Sequence, residues 1–391
     1  MTTAWRLRLL YFLYYGAVGA FLPYFAPYLR GLGFSGGAIG AVQMLGPLAA
    51  PAAALGWAAL ADRTGAPERA LRLATGLALA AACFLPLART PLAVGAVLLL
   101  QAAGDRAVVP LLDALTVEHA RTEAGSSYAR IRLAGSLGFA GLALSLGALL
   151  ALRGDRPGDP LVPITVLVLV AGYALAARWL PHAAPTGLAR PGWREARALL
   201  ADRRLLLLLL GCAIHWMACA PFHLMFGLFV RDRGLPSVVT GLGMGAGVAA
   251  EIVLLFAMPR LAARYSLQAL LVTSFLGSAV RWLLLSQAEG AASVIALQLL
   301  HGLTFGLFWG CAIEALARIV PRPLRSTGQA IFSAVVAGGG NAIGYQLAGL
   351  GYDRYGSVAP LFWWAGIIEL VPLSGGLFLI ARRWQSLRRS A

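Results

Sequence analysis

Residues 181–203 read PHAAPTGLARPGWREARALLADR, the longest polar stretch of the chain, and their position decides how the rest is organised. Pro181, Pro185, Gly187, Pro191 and Gly192 keep the first part irregular, whereas WREARALLADR has the composition of a short surface helix. Six apolar blocks precede the stretch, at 7–29, 36–61, 70–88, 91–118, 129–152 and 161–180. Six follow it, at 204–230, 237–263, 267–287, 291–318, 327–351 and 357–381. Each is long enough to cross about 30 Å of hydrocarbon as a helix. The pattern predicts an all-α polytopic membrane protein, with twelve transmembrane helices in two pseudo-symmetric six-helix halves. The halves are expected at 1–180 and 204–391, with 181–203 as a basic cytoplasmic linker.

Composition points the same way. The 391 residues are 59% hydrophobic and only 12% charged, with a mean hydropathy of +0.76. A soluble chain would carry about twice that charge, roughly 25%. The connections are short and leave no sizeable soluble domain. The first block is too long for a cleavable signal and lacks a small-residue cleavage site before a polar mature chain.

The formal charge of +16 raises the question of a nucleic-acid partner, and the charge distribution answers it. All 32 basic residues are Arg; 22 fall at the termini and in the even-numbered connections, 7 in the odd-numbered ones and 3 inside blocks. That alternation is the positive-inside pattern and puts both termini in the cytoplasm. Membrane lipids, not nucleic acid, are the expected partners of the surplus. Abundant Arg and Ala without Lys suggest a bacterial inner membrane. Cys83, Cys212, Cys219 and Cys311 lie singly in apolar blocks without metal-ligand spacing and read as small core residues. No cofactor or metal is expected.

Six ionisable residues lie deep in apolar blocks: Asp105, Arg106, Asp113, Glu251, Arg281 and His301. A charge at that depth costs at least about 2.5–3.5 kcal/mol, so it normally faces a wet cavity or a partner. Arg106 and Asp113, seven residues apart, share one helical face; Asp105 points roughly 100° away, and Pro110 can kink the span. Glu251, Arg281 and His301 fall close to the midplane. One reading is a relay, in which a moving Arg281 switches Glu251 between holding and releasing a proton. The other is a static buried ion pair that fixes helix packing. His301 titrates near neutral pH when unperturbed, which suits a proton relay or a substrate donor; the plainer reading is a hydrogen-bonded core residue. Glu314 and Glu369 lie nearer the interfaces and read as structural.

Tyr11, Tyr14, Tyr15, Phe305, Phe308 and Trp309 are expected on cavity-facing spans, half of them as packing. His215 and His223, with Trp216 and Phe222, are further lining candidates, as are Asn341 and Gln346. The glycines of GLGMGAG (241–247) and of 338–344 would break soluble helices; in a membrane they let helices approach closely. No strand precedes GLGMGAG, which removes a nucleotide-loop reading.

The turn Ala61-Asp62-Arg63-Thr64-Gly65 with Arg69, set after the second of twelve spans, resembles the gating turn of the major facilitator superfamily; Ala58 stands where its usual glycine lies. YGAVGAFLPYFAPYLRGLG (15–33), SYARIRLAGSLGF (127–139), LHGLTFGLFWG (300–310) and YDRYG (352–356) resemble the lactose-permease and phenylpropionate-permease branch of proton symporters, across essentially the whole chain. The resemblance implies sugar- or substrate-binding roles for Arg132 and, with a one-residue gap, Asp113. It implies proton-coupling roles for Glu251, Arg281 and His301, and gating roles for Asp62 and Arg63. Two departures stand out. Thr304 replaces the branch's proton-carrying Glu one turn beyond the His, so any coupling must use another group. Phe139 replaces the tryptophan that stacks on galactose.

The expected function is therefore a secondary active transporter, not an enzyme, moving a small organic solute by proton symport and alternating access. Arg106, Arg132 and Arg281 favour a carboxylate such as an aromatic acid over a plain sugar. Arg106, Asp113, Arg132, Phe139, His301 and Asn341 form the expected substrate set. A proton-driven exporter and a non-transporting membrane sensor are the rivals. Each chain would hold a complete pathway, as a monomer.

Overall fold

The computed structural model describes residues 2–123, 126–180, 197 and 199–378. Most of the expected linker, and the C-terminal arginines from Arg382 onward, lie outside the described residues. The described residues are helical apart from short turns and hold no strand. Among them, ten helices are long and apolar enough to cross a membrane: α1 (Thr3–Gly31), α2 (Gly36–Thr64), α3 (Pro67–Leu87), α4 (Pro91–Thr122), α5 (Tyr128–Leu152), α7 (Arg203–Asp232), α8 (Ser237–Arg264), α9 (Leu267–Gln287), α10 (Ala291–Ile319) and α12 (Ala359–Phe378). Between them lie the shorter apolar α6 (Leu161–Ala177) and α11, formed by Arg325–Phe332, Ser333–Gly340 and Asn341–Tyr355 in unbroken succession.

Local chemistry sets the ends. The hydroxyls of Thr2, Ser35, Thr90 and Ser266 accept from amides three residues on, and so cap α1, α2, α4 and α9. Pro67 and Pro91 occupy first turns, where no N–H is needed. Gly65 and Gly356 end α2 and α11 at φ 61° and 67°, a left-handed conformation that glycine takes without strain. The Thr2 cap starts α1 four residues before its apolar block begins. Two helices contain π-helical turns, at 302–307 in α10 and 333–340 in α11. Such turns are uncommon and frequent at functional sites.

The first six helices and the last six meet along two matching seams, α2 against α11 and α5 against α8. Glycine makes both possible. A Cβ on Gly40 would press on the Tyr345 carbonyl of α11; one on Gly241 would meet the backbone of Ala143 and Leu144 on α5. The seams are tightest at the end of the bundle away from the chain termini, here called the distal end. There the Asp353 carboxylate accepts from the amides of Gly36 (2.6 Å) and Gly37 (2.7 Å), at the N-terminus of α2. In the matching place Asp155 accepts from the Ser237 amide at the start of α8 (3.2 Å). Each helix is thus capped by an acid from the opposite group. Tyr24 adds to the closure, its hydroxyl donating to the Ala143 carbonyl (2.6 Å) beside Ser237.

Beside this closure, Asp159 pairs with Arg153 (2.8 Å). Desolvation by itself would raise the Asp159 carboxyl; the Arg153 bond and charge and the Leu161 amide outweigh it and hold it below the usual carboxylate range. Toward the proximal end the groups part. In α2 only Ala61 is buried after Pro47, and in α8 no residue after Gly247 is buried.

Candidate functional site

The half-buried ionisable residues converge where the seams end and the cleft begins. On the first group, Tyr11 donates to the Asp113 carboxylate, joining α1 to α4. Arg132 on α5 donates to the Tyr15 hydroxyl (2.5 Å). Its guanidinium lies 4.1 Å from the Tyr15 ring centroid and 5.3 Å from that of Tyr11. A cation stacked over two rings is held by their quadrupoles as well as by charge. Gly135, one turn on, leaves the space that Tyr15 and Arg132 fill. Asp105 points elsewhere and accepts from Tyr173 of α6 (2.7 Å). Arg106 lies in a break of α4, against Gly46 of α2 and within electrostatic reach of Tyr345 on the opposite group. Arg106 and Asp113 therefore serve different neighbours.

On the second group, Arg281 is wholly buried. It donates to Gln298 (2.5 Å) and to His301 Nδ1 (3.1 Å), and lies over the rings of Phe222 (4.3 Å) and Trp282 (4.5 Å). Because Nδ1 accepts, neutral His301 carries its proton on Nε2 and presents that edge as a donor. Phe305 stacks on His301, and Trp216 packs against Phe305 and Trp309, giving an aromatic wall. His223 meets Asn341 of α11.

Glu251 does not join Arg281. It packs against Gly306 of α10 and its charged neighbour is Arg132, across the cleft. The structure thus brings Arg281 and His301 together and turns Glu251 toward the other group. Gln298, the strongest partner of Arg281, is an amide one turn before His301. Phe139 lies partly buried in the core, its backbone against Gly19. Asp62 and Arg63 are exposed at the proximal end of α2.

One pairing departs from the reading of Glu369 as an interfacial structural residue. Glu369 is fully buried, with its Oε1 2.7 Å from His215 Nδ1, and neither side chain is exposed. Cys219 lies one turn from His215, Sγ to Nε2 3.7 Å. The interval of four residues puts His215 and Cys219 on one helical face; Glu369 arrives from another span, which sequence spacing does not reveal. Glu314, in contrast, makes an exposed i,i+4 pair with Arg318 (2.8 Å).

A bundle of membrane-length helices in two groups, closed at one end, with opposed polar residues at mid-depth, defines a multi-pass membrane transporter of a small molecule. The chain belongs to the MFS_1-like family of the major facilitator superfamily, whose model, "MFS_1 like family", matches residues 4–363. It is 33% identical over 342 residues to the Maltose permease of Geobacillus stearothermophilus, covering 86% of this chain and 83% of that one. It is 27% identical over 377 residues to the Probable 3-phenylpropionic acid transporter of Escherichia coli (strain K12), covering 94% and 96%. The crystal structure of the nucleoside transporter NupG superposes with a TM-score of 0.84 at 17% identity, over 97% and 99% of the two chains. These relatives are transporters and not enzymes.

Proposed function

We propose that this chain is a secondary active transporter that imports a small organic solute with protons by alternating access. The observation that carries the reading is the asymmetry of the cleft: both seams are shut distally by the Asp353 and Asp155 caps, while the proximal stretches of α2 and α8 stand uncovered. The arginine distribution makes the proximal end cytoplasmic, with both termini inside a bacterial inner membrane, so this state faces inward. The halves 1–180 and 204–391 rock about the central residues, joined through 181–203, within a monomer; Asp62 and Arg63 serve the inner gate.

The substrate is a small carboxylate such as an aromatic acid, or a sugar. Arg132 and Arg106 supply charge for a carboxylate, Asp113 accepts from hydroxyls, and the Trp216–Phe305–Trp309 wall offers aromatic faces. His301 Nε2 and Asn341 donate from the second half, and Phe139 borders the site. Glu251, facing Arg132 without an ion pair, couples the proton to the solute, with Arg281 and His301 behind it. The two relatives with named substrates, maltose and 3-phenylpropionic acid, span these classes.

The test follows external pH in de-energised, lightly buffered vesicles pulsed with aromatic acids, sugars and nucleosides. We expect alkalinisation with one compound class, lost in Glu251→Gln while labelled solute still exchanges. Clear exchange without any pH change would overturn symport.

A further inference from the structure

The transport reading leaves the most deeply buried titratable group of the second half unused. His215 of α7 and Glu369 of α12 touch at mid-depth, each with no exposed surface. Among the described residues, the other ionisable groups around them are Cys219 and His223 on α7; Arg281 on α9 faces Cys219 and His223, and His301 on α10 lies beyond Arg281. We propose that the His215–Glu369 pair is a second proton-binding station of this transporter, still loaded in the inward-facing arrangement described here and emptied to the cytoplasm when Arg281 reaches Glu369. The proposal rests on the proton-symport reading.

Hydrogen-bond geometry sets the proton count. The Nε2 of His215 lies 3.1 Å from the Thr304 carbonyl, which only accepts, so Nε2 carries a hydrogen. The Nδ1 lies 2.7 Å from Glu369 Oε1, too close for a bare ring nitrogen against a bare carboxylate, so the pair holds one further proton. Whether it resides on nitrogen, giving imidazolium and carboxylate, or on oxygen, giving two neutral groups, the pair is neutral overall. Removing that proton would strand a carboxylate with no exposed surface beside an imidazole packed by Phe275 and Phe308, with the Trp282 indole as its remaining donor. An unpaired buried charge is too costly to persist, so the proton leaves only when water or a cation arrives.

The cation is already nearby. Arg281 is fully buried, yet makes no ion pair among the described residues; its bonds go to Gln298 and His301. A buried guanidinium without a carboxylate and a buried carboxyl with no permanent cation against it are complementary deficits within one half. Trp282, the residue after Arg281, already borders Glu369. A shift of α9 against α12 that joined Arg281 to Glu369 would satisfy both and release one proton, leaving His215 neutral with hydrogen on Nε2. Atoms and charge balance: one proton enters the pair in the outward state with the solute, and one leaves it to the cytoplasm before the carrier returns.

His215, Cys219 and Glu369 also have the composition of a metal site, their ligand atoms lying within 4.8 Å of one another. Their arrangement disfavours it. Glu369 addresses Nδ1 and Cys219 addresses Nε2, opposite edges of one imidazole, so a single ion cannot be held by His215 together with both.

The experiment compares wild type, Glu369→Gln and Glu251→Gln in the same vesicles, reading labelled-solute exchange, uphill uptake and solute-linked pH change. The expected result for Glu369→Gln is exchange within about twofold of wild type, at least tenfold less accumulation and no pH change. A retained pH change with normal accumulation makes the pair static packing and overturns the proposal, while leaving the symport reading intact. Wild-type exchange with no pH change sinks the symport reading and the station with it. If Glu369→Gln loses exchange too, the swapped pair His215→Glu with Glu369→His decides. Recovered exchange with a pH change supports the station, and recovered exchange without one removes it.

Discussion

Arg132 shows how one side chain can be pinned and still available. Its guanidinium is held over Tyr15 and Tyr11, donates to the Tyr15 hydroxyl and reaches Tyr128, and still has further N–H donors among its five for a ligand. Lysine would keep the charge and lose the planar fork and the stacking. Arg132→Lys is therefore expected to raise the half-saturating concentration for solute counterflow at least tenfold. Its melting temperature should stay within a few degrees of wild type; an unchanged counterflow constant would exclude Arg132 from the site. As single residues these positions were legible, because an ionisable group in an apolar block is conspicuous. Their pairings were not. Tyr11 meets Asp113 and His215 meets Glu369 across more than a hundred positions, and only helix packing decides such contacts. Gln298 escaped notice because an uncharged amide in an apolar block gives no such alarm.

At the scale of the helix, glycines divide into those that make a contact and those that merely occupy one. A Cβ on Gly138 of α5 would run into the Phe12 carbonyl of α1, whereas one on Gly245 of α8 would meet nothing within 4 Å. Gly138→Leu should lower stability by about 1–3 kcal/mol or more, because backbone must move to admit it. Gly245→Ala should be neutral or gain up to about 1 kcal/mol. A thiol-reactive dye reporting on buried Cys212, Cys219 and Cys311 during heating would read both, and equal melting of the two variants would refute this account. The apolar blocks and glycine runs marked the helices because length and composition answer directly to membrane thickness. The π-helical turns at 302–307 and 333–340 left no such mark. An extra residue in a turn depends on which neighbours must be reached, and hydropathy does not record that.

For the molecule as a whole, the two trans-capping acids hold the distal end closed and, in the alternating-access cycle proposed above, set the balance between states. Losing a cap costs about 0.5–2 kcal/mol, or roughly 2–30-fold in a two-state population. Asp353→Ala is expected to open the distal end, and Asp155→Ala with it to open it further. Paired spin labels at exposed Arg89 and Glu289, on opposite groups, would report longer distances in both variants; unchanged distances would mean that the glycine seams alone keep the end closed. The two-group architecture could be read from the basic stretch at 181–203. Its closed end could not, because a carboxylate on a neighbouring helix N-terminus carries no motif. A cap borrowed from the opposite group has one more effect. When the distal end opens, the amides of Gly36, Gly37 and Ser237 exchange a carboxylate for solvent in one event. In the proposed cycle the outward state is then a hydrated state of those three groups, and its population is expected to answer to water activity as well as to solute and proton.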